Sequence, residues 1–171
     1  MIEYRIEGPG DIAAIHAVNA RVFGQSAEAE VVDALRIASA DFLSLMARKD
    51  GAIVGHILFT PATVERDDRR VVGMGLAPLA VVPEHQGEGI GSELVERGLE
   101  ILRARACPFA VVLGHPGFYP RFGFERASLR GLTCQWEGIP DEAFMVLVLD
   151  PIVMAGVTGV ARYRSEFDAV V

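Results

Sequence analysis

The stretch Leu76-Ala77-Pro78-Leu79-Ala80-Val81-Val82-Pro83-Glu84-His85-Gln86-Gly87-Glu88-Gly89-Ile90-Gly91-Ser92 constrains this chain more than any other. It reads as an apolar strand, a short polar turn with three alternating glycines, and the start of an amphipathic helix. A strand that empties into a glycine-rich turn at a helix N-terminus is suited to holding phosphate. The first-turn N–H groups have no helical partner, and the helix dipole favours negative charge there. Glycines at 87, 89 and 91 remove side chains that would keep a pyrophosphate off the backbone. Spacing excludes two familiar loops. A dinucleotide fingerprint requires Gly-x-Gly-x-x-Gly, but Ser92 follows the pair at 87 and 89, and Leu94 the pair at 89 and 91. A P-loop ends in Gly-Lys-Ser/Thr, and the segment has no lysine. The plainer alternative is a tight strand-to-helix turn whose glycines serve packing alone.

What does fit is Gln-x-x-Gly-x-Gly, as Gln86, Gly89 and Gly91, directly after a strand ending in Val-Pro. Downstream, the apolar run Phe109 to Leu113 leads into Gly114-His115-Pro116-Gly117-Phe118-Tyr119-Pro120-Arg121-Phe122-Gly123-Phe124. The first pattern resembles the acyl-CoA pyrophosphate loop of the GNAT superfamily of N-acetyltransferases, and a tyrosine four residues before Gly-Phe resembles its second signature. Nearly end to end, the chain also resembles a bacterial subgroup of predicted N-acetyltransferases. The matching segments are Val54 to His56, Leu76 to Val81, Tyr119 to Phe124 and Pro140 to Met145.

With 171 residues, one domain over 1–171 is expected, with 151–171 as a C-terminal tail packed on it. A formal charge of −7 argues against a nucleic-acid partner and is compatible with a cationic amine substrate. Cys107 and Cys134 form no CxxC or Cys/His cluster, so no metal site is expected, and two isolated thiols suit a reducing cytoplasm. The sequence opens without the basic and apolar regions of a signal peptide. Its longest apolar stretch, Ala143 to Ala161, contains Asp150, Pro151 and two glycines, which argues against a membrane span.

Strands are expected at Ile2 to Ile6, Phe42 to Arg48, Ala52 to Val64, Val71 to Val82, Phe109 to Leu113 and Met145 to Leu149, with an Asp50-Gly51 hairpin between the second and third. Helices are expected from an Asp11 cap to Gly24, from Ser26 through Leu35, and after the glycine turn. That last helix should bury Ile90, Leu94, Gly98, Ile101 and Leu102, with Glu93 and Arg97 paired on its wet face. Gly98 on the buried stripe would permit close approach to a sheet. The order gives an α+β domain built on one largely antiparallel sheet. The resemblance adds the GNAT-like (acyl-CoA N-acyltransferase) form of that fold: a mixed sheet with a splay between two central parallel strands and helices on both faces.

The resemblance implies acetyl-CoA as acyl donor and direct transfer to a primary amine, either a small molecule or a protein or peptide amine. It leaves a homodimer open. It assigns cofactor binding to Leu79, Ala80, Val81, Val82, Gln86, Gly87, Glu88, Gly89, Ile90, Gly91, Ser92 and Tyr119. It assigns the oxyanion donor to the backbone N–H near Leu79 or Ala80, and the departing CoA thiolate to Tyr119. Many family members carry a glutamate base on the central strand, but Val72-Gly73-Met74-Gly75-Leu76 has no carboxylate. Glu28, His56, His115 and Glu142 remain as candidates, His115 favoured for its closeness in sequence to Tyr119; a water chain would also serve. The missing carboxylate keeps a second reading open, a non-catalytic acyl-CoA-binding or regulatory domain of the same fold.

Overall fold

The computed structural model describes residues 1–171. It contains strands β1 (Ile2–Ile6), β2 (Leu43–Lys49), β3 (Ala52–Arg66), β4 (Arg69–Val81), β5 (Phe109–Leu113), β6 (Glu125–Arg126), β7 (Leu132–Cys134), β8 (Phe144–Val148) and β9 (Gly159–Arg162). Four helices accompany them: α1 (Ile12–Phe23), α2 (Ala27–Ala38), α3 (Ile90–Ala104) and α4 (Pro151–Met154). The strands form one mixed sheet in the order β1-β2-β3-β4-β5-β8-β6, with β9 bonded to both β3 and β7. The chain divides into two compact units. One comprises Met1–Phe59, Ala77–Leu99 and Ser165–Val171; the other comprises Thr60–Leu76 and Glu100–Arg164.

In the first unit, β1, β2 and the first half of β3 pair antiparallel, and Lys49 faces Ala52 across a two-residue turn. Asp50 and Gly51 take φ of 50° and 83°, the left-handed pair that makes a turn twist with its strands. Val54 to Thr60 of β3 are all buried, so both faces of this strand are covered. On one face His56 bonds Asn19 of α1. On the other, a Cβ placed on Gly98 of α3 would stand 2.3 Å from Cε2 of Phe59. Gly98 is therefore the close approach expected from the sequence. The apolar face of α3 is wider than expected, taking in Val95 and Leu99, while Ile101 is only half-buried. Glu93 and Arg97 pair at 2.6 Å as expected, and the Arg97 guanidinium also lies 4.9 Å from the centre of the Tyr4 ring.

Asp11 departs from its expected role. It occupies the N-cap position of α1, but its carboxylate makes no bond to that helix. It accepts instead from the Gly8 N–H at 2.7 Å and from Arg5 and Arg48. Two guanidiniums outbid the helix amides, because charge-assisted bonds are the stronger ones.

In the second unit, β4 and β5 run parallel over three pairs only, Met74 with Ala110 to Leu76 with Val112. β8 pairs antiparallel with β5 and with β6. The segment expected as a tail contributes α4 and then β9, which joins the sheet against β3 and β7. Farther along, Ser165–Ala169 forms a turn in the first unit, with Phe167 buried. No helix is long and apolar enough to cross a membrane.

Candidate active site

The end of β4 is tied down before the glycine turn begins. The Val82 N–H donates to the Val54 carbonyl at 2.9 Å, and Pro83–His85 form a single 3-10 turn. Gln86 folds back, its Nε2 donating to the Val81 carbonyl at 2.9 Å. The turn then needs two left-handed residues, Gly87 at φ 81° and Gly89 at φ 84°. A Cβ at either would meet nothing within 4 Å, so backbone conformation alone demands glycine, and the space over the turn is open. The first bond of α3 runs from the Glu93 N–H to the Gly89 carbonyl at 3.0 Å. The amides of Ile90, Gly91 and Ser92 stand ahead of it, at the positive end of the dipole. An open cradle of this kind fits a pyrophosphate.

The carboxylates of the turn are occupied elsewhere. Glu88 accepts from Lys49 Nζ at 2.8 Å and lies 3.1 Å from His85 Nδ1. The Lys49 bond, and His85 after it, hold the Glu88 carboxyl below the usual carboxylate range. Glu84 pairs with Arg21 of α1. Lys49 and Arg21 thus neutralise negative charge around a turn built for an anion. Neither is visible as a partner in the sequence, because each sits tens of residues from the turn.

In the second unit, Tyr119–Phe122 form a short turn ended by Gly123 at φ 97°. Tyr119 is 7% exposed, with its ring edge-on to Phe118 (centroids 5.0 Å apart) and Phe124 (5.7 Å). It rests on Gly114, where a Cβ would stand 2.4 Å from Tyr119 Cε2. Burial pushes the phenol up to about 12, so it carries its proton at neutral pH.

The four base candidates separate. His115 is exposed and shares an open groove of about 350 Å³ with Glu142, walled by Leu113, Pro116 and Pro140. Glu28 lies on α2 in the first unit, where its carboxylate accepts from Gln25. His56 is fully buried in the same unit, between Asn19 Nδ2 at 3.0 Å and Ser44 Oγ at 2.9 Å. Desolvation lowers its pKa to about 4, so it sits there as neutral imidazole. Two positions in the strand stretch without a carboxylate are closed sterically. A Cβ on Gly73 would stand 2.4 Å from the Phe109 carbonyl, and one on Gly75 would stand 2.7 Å from the Tyr163 ring. Phe109 and Tyr163 occupy the room that a longer side chain would need at these two positions.

The acetyltransferase (GNAT) domain model matches residues 3–127. The chain belongs to the GNAT family. An uncharacterized N-acetyltransferase of Escherichia coli K12, YhbS, is 39% identical over 165 residues, spanning 96% of this chain and 97% of the relative. The crystal structure of E. coli YhbS in complex with CoA superposes with a TM-score of 0.88 at 37% identity, covering 98% of this chain and 92% of that one. A GNAT family acetyltransferase from Brucella melitensis, in complex with acetyl-CoA, gives a TM-score of 0.79 at 35% identity, covering 98% and 99%. This GNAT chain is an acetyltransferase with the GNAT fold expected from its sequence, and the comparisons do not favour the non-catalytic reading.

Proposed function

We propose that this GNAT protein transfers acetyl groups from acetyl-CoA directly to a primary amine. The open glycine turn at the start of α3 carries the reading, since it fits a pyrophosphate and the two similar structures named above were solved with CoA and acetyl-CoA. Acetyl-CoA supplies an activated acyl thioester. The amides from Gly87 to Ser92 hold its pyrophosphate, with Gln86 fixing the entrance to the turn. Leu79 to Val81 offer strand backbone to the extended arm, by the logic of an added strand, whereas Val82, expected to share in this, has its N–H and carbonyl taken by Val54 and His85. The N–H of Leu79 or Ala80 polarises the acyl carbonyl, a contribution of ~3 kcal/mol for a preorganised donor. Tyr119 offers its hydroxyl to the departing sulfur. The groove shared by His115 and Glu142 receives the amine, and water carries its proton away.

The test is acetyl-CoA turnover over a mixed panel of amines, with products read by mass. Acetylated amine with release of free CoA is the expected result. Tight acetyl-CoA binding with no product across small amines, peptide N-termini and lysine peptides would leave only the binding role. Absence of binding would overturn the donor site itself.

A further inference from the structure

Tyr163 follows β9 and is 7% exposed, with its hydroxyl aimed at main chain. Oη lies 3.0 Å from the Val111 carbonyl and 3.1 Å from the Leu76 carbonyl, and the Leu113 N–H donates to it. The phenol has one proton, which it gives to one carbonyl at a time. These groups come from β4 and β5 at the place where their short ladder ends, at Leu76 and Val112. A side chain from a third segment thus ties the two parallel strands together at their last pair.

The fit is specific to this ring. It lies on Gly75, the residue next to Leu76, where no Cβ can be added without meeting Cε2 at 2.7 Å. On the far side of the same contact, Leu113 is followed by Gly114, the seat of the Tyr119 ring. One peptide unit therefore connects the two tyrosines. They also sense each other electrically: after burial, Tyr119 contributes to raising the Tyr163 phenol well above its ordinary value.

We propose that Tyr163 is a positioning residue for acyl transfer, its hydroxyl pinning β4 to β5 at their last pair and so fixing the Leu113-Gly114 backbone on which Tyr119 is seated. The proposal rests on Tyr119 acting at the departing sulfur. A tyrosine kept only for packing would be replaced by phenylalanine without consequence for Tyr119. A pin would not.

The protein has three tyrosines, Tyr4, Tyr119 and Tyr163, so carbon-13 labelling at Cζ gives three NMR signals assignable by single substitutions. In folded Tyr163→Phe, the Tyr119 signal and its titration should move, and kcat should fall ~10- to 100-fold, the scale on which small misplacements of a reacting group act. KM for the amine should stay unchanged. Gly75→Ala perturbs the same pin while keeping every hydroxyl and should move the same signal; it decides the matter should Tyr163→Phe fail to fold. An unmoved Tyr119 signal in either folded variant overturns the proposal whatever the activity. A moved signal with wild-type kcat overturns Tyr119 as the group acting at sulfur, while the link between the two tyrosines stands.

Discussion

Tyr119 holds its proton at about 12, whereas an ordinary thiol loses its own near ~8.5. Complete transfer from phenol to thiolate would then run uphill by ~5 kcal/mol. The hydroxyl is better suited to hydrogen-bond the sulfur as charge builds on it than to surrender its proton. Tyr119→Phe should accordingly lower kcat by ~10²-fold, the low end for general acids, and leave acetyl-CoA affinity nearly unchanged. Wild-type kcat on a confirmed amine would return the residue to plain packing. His115 is a different case, being exposed on an open groove where water can replace it. His115→Ala should be milder than Tyr119→Phe. The pH profile of kcat/KM should climb towards the pKa of the amine, with no limb near ~6.5. Loss of several orders of magnitude, together with the disappearance of such a limb, would make His115 the base.

Among the elements, the junction of β4 with α3 is where anion binding can be tested without disturbing the fold. Gly89 sits at φ 84°, so any side chain there also strains the backbone, but Gly91 lies within α3. Gly91→Glu places a carboxylate among the first-turn amides at modest conformational cost. It should abolish CoA binding by calorimetry while the far-ultraviolet spectrum stays unchanged; undiminished affinity would rule out the turn as the pyrophosphate site. This junction was legible in the sequence because its signals are local: an apolar run, glycines, then an amphipathic period. The Asp50-Gly51 hairpin was legible for the same reason. β6, β7 and β9 were not, since strands of two to four residues are too short to show a period. The Lys49–Glu88 pair and the bonds from Tyr163 to Leu76 and Val111 join residues 39, 87 and 52 positions apart, and only the folded chain brings them together.

For the molecule as a whole, two groups should make stability fall in acid at different pH. His56 is buried neutral among Asn19, Ser44 and, through Ser44, the Glu7–Arg36 pair. Between pH 6.5 and about 4 the unfolded chain takes up a proton that the folded chain refuses. Stability present above 6.5 is lost across that interval, by about 3 kcal/mol. Asp11, held down to about 2 by the Arg5 bond and then the Gly8 N–H, contributes only later, as pH falls from 3.8. Urea midpoints measured at half-unit steps should slope between 6.5 and 4. A flat line there would mean that His56 accepts its proton in the fold. Such melts have a convenient colour of light to follow. The chain has one tryptophan, Trp136, and its ring centre lies 5.5 Å from that of Tyr163. Its emission therefore comes from a single place, beside the pinned end of the β4–β5 ladder, and a fluorimeter needs no attached dye to watch that place open.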